Sequence, residues 1–129
     1  MSDVPRHVVD LVDQRDGRID RSTGRGLGAG RNLHHRRLRS RRGHHTPANL
    51  ITLSGSGTTG THGYMHANPR IATEHGFIVP SWADPAEVPI LLADRRGRKA
   101  WHLLTEEGTT TPLSEADALD AMRALGLRG

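Results

Sequence analysis

Residues 33–66 read LHHRRLRSRRGHHTPANLITLSGSGTTGTHGYMH, and this stretch decides the fold that we predict for the chain. Residues 33–36 are interpreted as a short strand. After a loop closed by Pro47, the branched side chains of residues 49–53 predict a second strand. A turn rich in Ser, Gly and Thr follows, and residues 60–66 are predicted to form a short helix. The predicted order is therefore strand, loop, strand, helix.

The residues after this stretch add further elements. Asn68 and Pro69 predict the start of a helix, as its cap and its first-turn proline. Residues 77–79 predict a strand, and residues 88–104 predict a hairpin with a polar turn. Ser114, with an acidic residue three positions on, is predicted to cap a final helix. The whole pattern indicates an α+β fold.

The length of 129 residues fits one small domain, which we place over residues 1–129. Within it, residues 18–75 hold the central motif and a basic loop, and residues 76–129 hold the C-terminal strands and helix. No apolar run has transmembrane length and no secretory segment is found, so we expect a soluble, cytoplasmic protein. The absence of cysteine excludes disulfides and thiolate zinc sites.

The positive charge is concentrated in one segment. Residues 21–73 contain no Asp or Glu, and they hold nine of the arginines. A guanidinium group suits phosphate in a two-pronged contact, so this segment indicates a polyanionic partner. A solvated or disordered basic arm is the alternative. Membrane binding is disfavoured because these arginines have no apolar face beside them.

Histidines cluster in the same segment. Six of the nine fall within 33 residues, namely His34, His35, His44, His45, His62 and His66. His62 and His66 are four residues apart, so on a helix they share one face and can share a metal ion. In a chain with nine histidines, such a spacing can also arise by chance. We interpret His44 and His45 as a surface or DNA-facing pair.

The His34-His35 pair suggests two separate tasks. Adjacent residues of a strand point to opposite faces, so one histidine can bind a metal ion while the other acts elsewhere. Hydrolysis of a phosphodiester needs such a division, with a base for the attacking water and a cation for the growing negative charge. A neutral imidazole is a suitable base near neutral pH.

These residues resemble the HNH endonucleases (His-Me finger nucleases) of actinobacterial phages. The resemblance is carried by the runs HHRR at 34–37, PANLITL at 47–53 and GSGTTGTHG at 55–63. It continues through HANP at 66–69 and DPAEVP at 84–89, and it covers roughly residues 15–112. The resemblance implies a phage-encoded, metal-dependent DNA endonuclease with a ββα-metal fold that clasps one divalent cation.

The resemblance also implies roles for individual residues. His34 and His62 correspond to metal ligands, and His66 to a third ligand. His35 corresponds to the general base, and Asn49 to the residue that braces the loop around it. No carboxylate is among these ligands, so zinc, nickel or manganese are favoured, with magnesium possible if phosphate and water complete the shell.

One departure from the family concerns its structural zinc, which two cysteine pairs usually hold. Those positions are Ile19, Ser22, Ser54 and Thr61 here, so no structural zinc is expected. We expect Ile19 to pack inward and the hydroxyl groups to hydrogen-bond locally. Without the zinc, residues 1–32 would be held by the C-terminal part or by a partner chain.

The predicted partner is DNA, contacted mainly through its phosphates. The predicted phosphate contacts are Arg36, Arg37, Arg39, Arg41 and Arg42. A phage terminase subunit is a second possible partner, because such nucleases often accompany terminases. The main alternative function is a non-catalytic DNA-binding or DNA-packaging accessory protein on an HNH fold, and a ribonuclease is a further one.

Overall fold

The computed structural model describes residues 4–28, 30–38, 44–55 and 59–128. Within these ranges the chain forms four α-helices and two small sheets, which confirms the predicted α+β class. In chain order the elements are α1 (Arg6–Asp16), β1 (Arg31–His35), β2 (Leu50–Ser54), α2 (Gly60–Ala67), α3 (Pro69–Glu74), β3 (Ile90–Ala93), β4 (Lys99–Leu104), β5 (Thr110–Pro112) and α4 (Glu115–Ala124). No helix in these ranges is both long enough and apolar enough to cross a membrane.

The first sheet consists of β1 and β2, which pair in antiparallel fashion. His34 lies opposite Ile51, and His35 lies opposite Leu50. Both predicted strands are therefore found, although β1 begins at Arg31, earlier than predicted. Asn49 ends a 3-10 turn and does not open β2. Helix α2 follows β2 after a short connection, so strand, strand and helix occur in the predicted order.

Strand β2 is buried because other elements cover both of its faces. Leu50 packs against Val8 and Val12 of α1. Ile51 and Leu53 point the other way and join the main core, which includes Met65 of α2. The alternation of side chains along a strand thus lets β2 connect two helices.

The second sheet has the strand order β3-β4-β5, and all its pairs are antiparallel. Its first two strands are the predicted hairpin. Asp94 fixes the turn between them by accepting hydrogen bonds from the backbone N–H groups of Arg96 and Arg98, at 2.9 and 3.0 Å. Strand β5 was not predicted, because three residues of sequence Thr-Thr-Pro carry no apolar alternation.

Helix α4 begins as predicted. The Ser114 hydroxyl accepts a hydrogen bond from the backbone N–H of Asp117 at 3.1 Å, which satisfies one of the free donors at the helix start. Ala118 and Met122 form the buried face of α4. They pack in a second cluster with Trp101 of β4.

The predicted strand at residues 77–79 is wrong. Phe77, Ile78 and Val79 are buried, but they do not lie beside another strand. The backbone N–H groups of Phe77 and Ile78 donate to the Ala72 carbonyl at the end of α3, at 2.8 and 3.3 Å. The N–H of Val79 donates to the Arg36 carbonyl. Their apolar character therefore reflects burial under the core and not pairing in a sheet.

The main core crosses the boundary between the two predicted parts of the domain. It contains Ile51 and Leu53 from β2, and also Ile90, Leu92 and Leu104 from the second sheet. Residues 18–75 and 76–129 therefore share one hydrophobic interior.

The N-terminal residues are attached to both sheets. Arg21 donates its backbone N–H to the Thr52 carbonyl of β2 at 3.0 Å. Its own carbonyl accepts from Ala93 of β3 at 2.7 Å. Arg95, in the turn after β3, donates to the Gly17 carbonyl at 2.7 Å. Residues of the N-terminal segment are therefore attached both to β2 and, as one of the two expectations had it, to the C-terminal part.

The carboxylate of Asp20 connects Ser22, Ser54 and Thr61, three of the four positions at which the sequence analysis expected no structural zinc. Asp20 is 1% exposed, and it accepts hydrogen bonds from the backbone N–H and hydroxyl of Ser22 at 2.8 and 2.7 Å. It also accepts from the Ser54 N–H at 2.8 Å and from the Thr61 hydroxyl. Ile19 is buried beside it. The expected inward packing of Ile19 and local bonding of the hydroxyl groups are confirmed.

Candidate metal and proton-transfer site

Three of the predicted site residues come together where the first sheet meets α2. His34 lies on β1, and His62 and His66 lie one turn apart on α2. The ring centroids are 4.9 Å apart for His34 and His62, 5.6 Å for His34 and His66, and 4.7 Å for His62 and His66. One nitrogen from each ring can be chosen so that all three lie within 4.8 Å of one another.

The two ring nitrogens of His34 have different surroundings. Nε2 lies 2.6 Å from the Phe77 carbonyl, and because a carbonyl only accepts, Nε2 carries the proton and donates it. Nδ1 is buried and has no hydrogen-bond partner among the described residues. Burial, reinforced by the nearby His62 and His66, lowers the pKa of His34 to about 3. The ring is therefore neutral at physiological pH, with a lone pair on Nδ1.

This arrangement fits a metal ligand. A histidine that binds a metal through one nitrogen commonly donates its other N–H to a backbone carbonyl or carboxylate, which fixes the ring. His34 has such a donor bond, and its remaining nitrogen is an acceptor that no described group uses.

The other two histidines complete a set that is open on one side. Nε2 of His62 and Nε2 of His66 lie 3.1 Å apart, close to the roughly 3.4 Å expected for two nitrogens bound about 2.0–2.1 Å from one tetrahedral zinc ion. His34 is buried, His62 is half-buried and His66 is exposed. The donor set is all imidazole, which suits zinc, nickel and similar cations.

His35 belongs to a different contact. Its Nε2 lies 2.9 Å from Nδ1 of His45, with the ring centroids 5.0 Å apart. The structure thus separates His34 and His35, as the alternation along a strand predicts. Of the pair interpreted as surface or DNA-facing, His44 is exposed, whereas His45 is half-buried against His35. No sequence signal pointed to the contact of His35 with His45, since it depends on the path of the intervening loop.

Asn49 joins the two ends of that loop. Its side-chain carbonyl accepts from the Arg37 N–H at 2.7 Å, and its amide donates to the carbonyls of Arg37 and His44, each at 3.0 Å. The side chain is 1% exposed. Asn49 therefore connects Arg37, two residues after the end of β1, to His44, the chain neighbour of His45.

Arg36 does not lie where the sequence analysis placed it. It is 0% exposed, and its guanidinium donates to four backbone carbonyls, those of Gly76, Ala48, Pro85 and Val88, at 2.8–2.9 Å. A buried group with its donors used in this way does not reach a phosphate. The prediction of Arg36 as a DNA contact is corrected, and the residue is a structural one.

Of the other predicted DNA contacts, Arg37 is the one that lies within the described residues. Arg37 is half-buried, and its guanidinium donates to the Ala83 carbonyl at 3.0 Å. Arg39, Arg41 and Arg42 lie outside the described residues.

The site combines a cluster of three imidazoles that opens to solvent with a separate contact between His35, the neighbour of His34, and His45. Chemically, the first can bind a cation and the second can take up and release a proton. No family model, curated protein or solved structure matches this chain.

Proposed function

We propose that this chain is a metal-dependent DNA endonuclease, in which β1, β2 and α2 serve as the ββα-metal motif of an HNH nuclease. The observation that carries the proposal is the separation of His34 from His35. His34 keeps a buried nitrogen without a described partner beside His62 and His66, and His35 pairs with His45. Phosphodiester hydrolysis requires both a cation site and a separately oriented base.

In this mechanism, His34, His62 and His66 would hold one divalent cation, which would supply positive charge against the negative charge that develops on the phosphate. His35 acts as the general base and takes one proton from a water molecule. The resulting hydroxide attacks phosphorus and the bond from phosphorus to the 3′ oxygen breaks. The 3′ oxygen acquires a proton from solvent, so the products carry a 5′ phosphate and a 3′ hydroxyl.

His45 and Asn49 orient the base. Nε2 of His35 lies 2.9 Å from Nδ1 of His45, and this contact holds the ring of His35 in one orientation. Asn49 holds the segment that carries His45 against the end of β1 through its bonds to Arg37 and His44. A base held in one orientation needs less rearrangement before it reacts.

DNA would be held mainly by arginines of the segment after β1. Arg37 is the described member of this set, and Arg39, Arg41 and Arg42 remain predicted phosphate contacts. Contacts of this kind place the duplex without reading its sequence. Binding should therefore weaken as the salt concentration rises.

The test is nicking of supercoiled plasmid with Mg²⁺, Mn²⁺, Ni²⁺ or Zn²⁺, each compared with excess EDTA. His35→Ala should lower the cleavage rate by about 10²- to 10⁴-fold, the usual contribution of a general base, without loss of metal binding. His62→Ala should weaken both cleavage and metal binding. His7→Ala, which changes an exposed histidine of α1, is the control and should alter neither.

Two results would contradict the proposal. Full activity of His35→Ala would remove the general-base role. DNA binding without cleavage in any of the metals would favour the alternative of a non-catalytic DNA-binding or packaging accessory protein.

A further inference from the structure

Trp82 is the most exposed large apolar side chain among the described residues, at 64%. Its backbone is nevertheless held in place, because the next residue, Ala83, makes two hydrogen bonds through its backbone. The Ala83 N–H donates to the Pro80 carbonyl at 3.1 Å, and the Ala83 carbonyl accepts from Arg37 at 3.0 Å. An exposed indole on a hydrogen-bonded turn, with little part in the core, is typical of a binding contact.

A cavity of about 370 Å³ lies beside this indole. That volume is within the range of roughly 300–1,000 Å³ seen for small-molecule sites. The polar side chains that line it together with Trp82 are Arg37, His44, Thr46, Asn49, Asp84 and Glu106. They provide a guanidinium, an imidazole, a hydroxyl group, an amide and two carboxylates.

This mixture of groups suits a nucleobase better than a phosphate. Two carboxylates would repel a bare phosphate, whereas a base edge presents both donors and acceptors of hydrogen bonds. The carboxylates are held in place, because Glu106 accepts from the Ala48 N–H at 3.2 Å and Asp84 from the Ala86 N–H at 2.9 Å. An aromatic ring at the rim offers the flat surface on which a base can stack.

The cavity also adjoins the proposed catalytic residues. Asn49 lines it, and so does His44, the chain neighbour of His45. Arg37, another lining residue, is two positions after His35. A nucleotide in this cavity would therefore lie next to the segment that orients the base.

From these observations we infer that the cavity binds an unpaired nucleobase of DNA, which stacks on Trp82. That this DNA is a substrate rests on the proposed function. In a continuous duplex both faces of each base are already stacked, so only a single-stranded, bulged or extruded base can offer a face to the indole. The substrate class is then DNA with unpaired nucleotides next to the cleaved phosphate.

The experiment measures DNA binding in EDTA, where no cleavage occurs. Fluorescence anisotropy is recorded with three DNAs of one sequence: a single strand, a perfect duplex, and the duplex with one bulged nucleotide. Trp82→Ala should weaken binding of the single strand and the bulged duplex by about five- to a hundred-fold, the value of one base–aromatic stack. Binding of the perfect duplex should change by less than about twofold, since no base of it stacks on Trp82.

Two further variants sharpen the result. Trp82→Phe keeps a ring and should retain most of the binding, while the quenching of tryptophan emission by unlabelled single strand should be lost. Tyr64→Ala removes an aromatic side chain of similar exposure, 50%, on α2 and should cause no selective loss. Thermal unfolding of each variant checks that it folds. If Trp82→Ala does not fold, the loss of quenching in Trp82→Phe provides the test.

An equal loss for all three DNAs, or no loss, would overturn the inference. Its failure is distinguishable from failure of the proposed function. A protein that cleaves plasmid but binds the three DNAs independently of Trp82 contradicts only the base site. A protein that binds bulged DNA through Trp82 but never cleaves contradicts only the nuclease.

Discussion

The ring of His34 links the chemistry of the site to the stability of the protein. Its Nε2–H is satisfied by the Phe77 carbonyl, whereas its Nδ1 is buried without a described partner. A buried acceptor in this state lowers stability unless something supplies the missing contact. A bound cation would do so, and we therefore expect metal binding to stabilise the fold as well as to serve the reaction.

We predict that zinc raises the stability of the protein. At a free concentration of one hundred times its dissociation constant, a ligand that binds only the folded state stabilises it by about 2.7 kcal/mol. His62→Ala should greatly reduce this gain, because it removes one of the three nitrogens. Thermal unfolding over a series of Zn²⁺ concentrations measures the effect, with His7→Ala as the control. A zinc effect that survives in His62→Ala would contradict the assigned ligands.

The metal-free protein should lose stability in mild acid. The pKa of His34 falls from 6.5 to about 3 in the folded state, so the unfolded chain binds this proton more tightly. Stability is therefore present above pH 6.5 and decreases as the pH falls toward 3, by up to roughly 1.4 kcal/mol per pH unit. Urea unfolding in EDTA between pH 6.5 and 4.5 measures this slope. The slope should be flatter in His34→Gln, and an unchanged slope would exclude His34 as its source.

At the scale of single residues, the sequence predicted which histidines come together and which are kept apart. The four-residue spacing of His62 and His66, and the alternation that separates His34 from His35, are local rules of helices and strands. His45 could not be predicted, because ten residues of loop separate it from His35 and no periodicity governs their meeting.

At the scale of secondary-structure elements, Asp20 connects the loop before β1, the end of β2 and the start of α2. Its carboxylate joins the loop containing Ser22 to the end of β2 at Ser54 and to α2 at Thr61. Burial raises the pKa of Asp20, but the hydrogen bonds from Thr61, Ser22 and Ser54 together outweigh it and hold the pKa below its ordinary value. The ionised carboxylate is thus the form that stabilises the fold.

We predict that Asp20→Asn destabilises the protein by about 2–4 kcal/mol, because an amide replaces a charged acceptor of several hydrogen bonds. The wild-type contribution should be present above pH 3.8 and should be lost as the pH falls through the lowered pKa, whereas Asp20→Asn should lack that loss. Urea unfolding at several pH values is the measurement. Asp10→Asn, at an exposed ion pair with Arg6, is the control and should cost less than about 1 kcal/mol.

The elements themselves were largely predictable, but this connection was not. Runs of branched and apolar residues indicated the strands, and Ser114 indicated α4. The acidic residue before the basic segment was left without a role. A signal was present, because Asp20 followed by Ser22 and Thr23 is the pattern of a side chain that bonds backbone N–H groups two and three residues on.

At the scale of the whole molecule, Arg36 joins three separate segments of the chain. Its four carbonyl partners belong to the 3-10 turn before β2, the end of α3 and the segment before β3. Burial lowers the pKa of Arg36 to about 9, so it is still charged at neutral pH. The number of arginines in the segment could not predict that Arg36 is buried. The alternation of side chains along β1, however, places residue 36 on the same inner side as His34.

We predict that Arg36→Met costs about 3 kcal/mol or more, because it leaves several buried carbonyls without donors. Arg70→Met removes an exposed guanidinium that pairs only loosely with Glu74, and it should cost less than about 1 kcal/mol. Chemical unfolding of both variants makes the comparison. Equal stability of the two would show that the buried network contributes little.

The exposure of the three histidines has a consequence for how a cation enters and leaves. His66 faces solvent, His62 is half-covered and His34 is buried, so an ion must pass the outer rings before it reaches the inner one. In the proposed metal site, the outer ring would then govern how fast an ion is captured, and the inner ring would govern how long it stays. Loss of His66 should mainly slow uptake, and loss of His34 should mainly hasten escape, so the two ligands divide the kinetics of exchange between them.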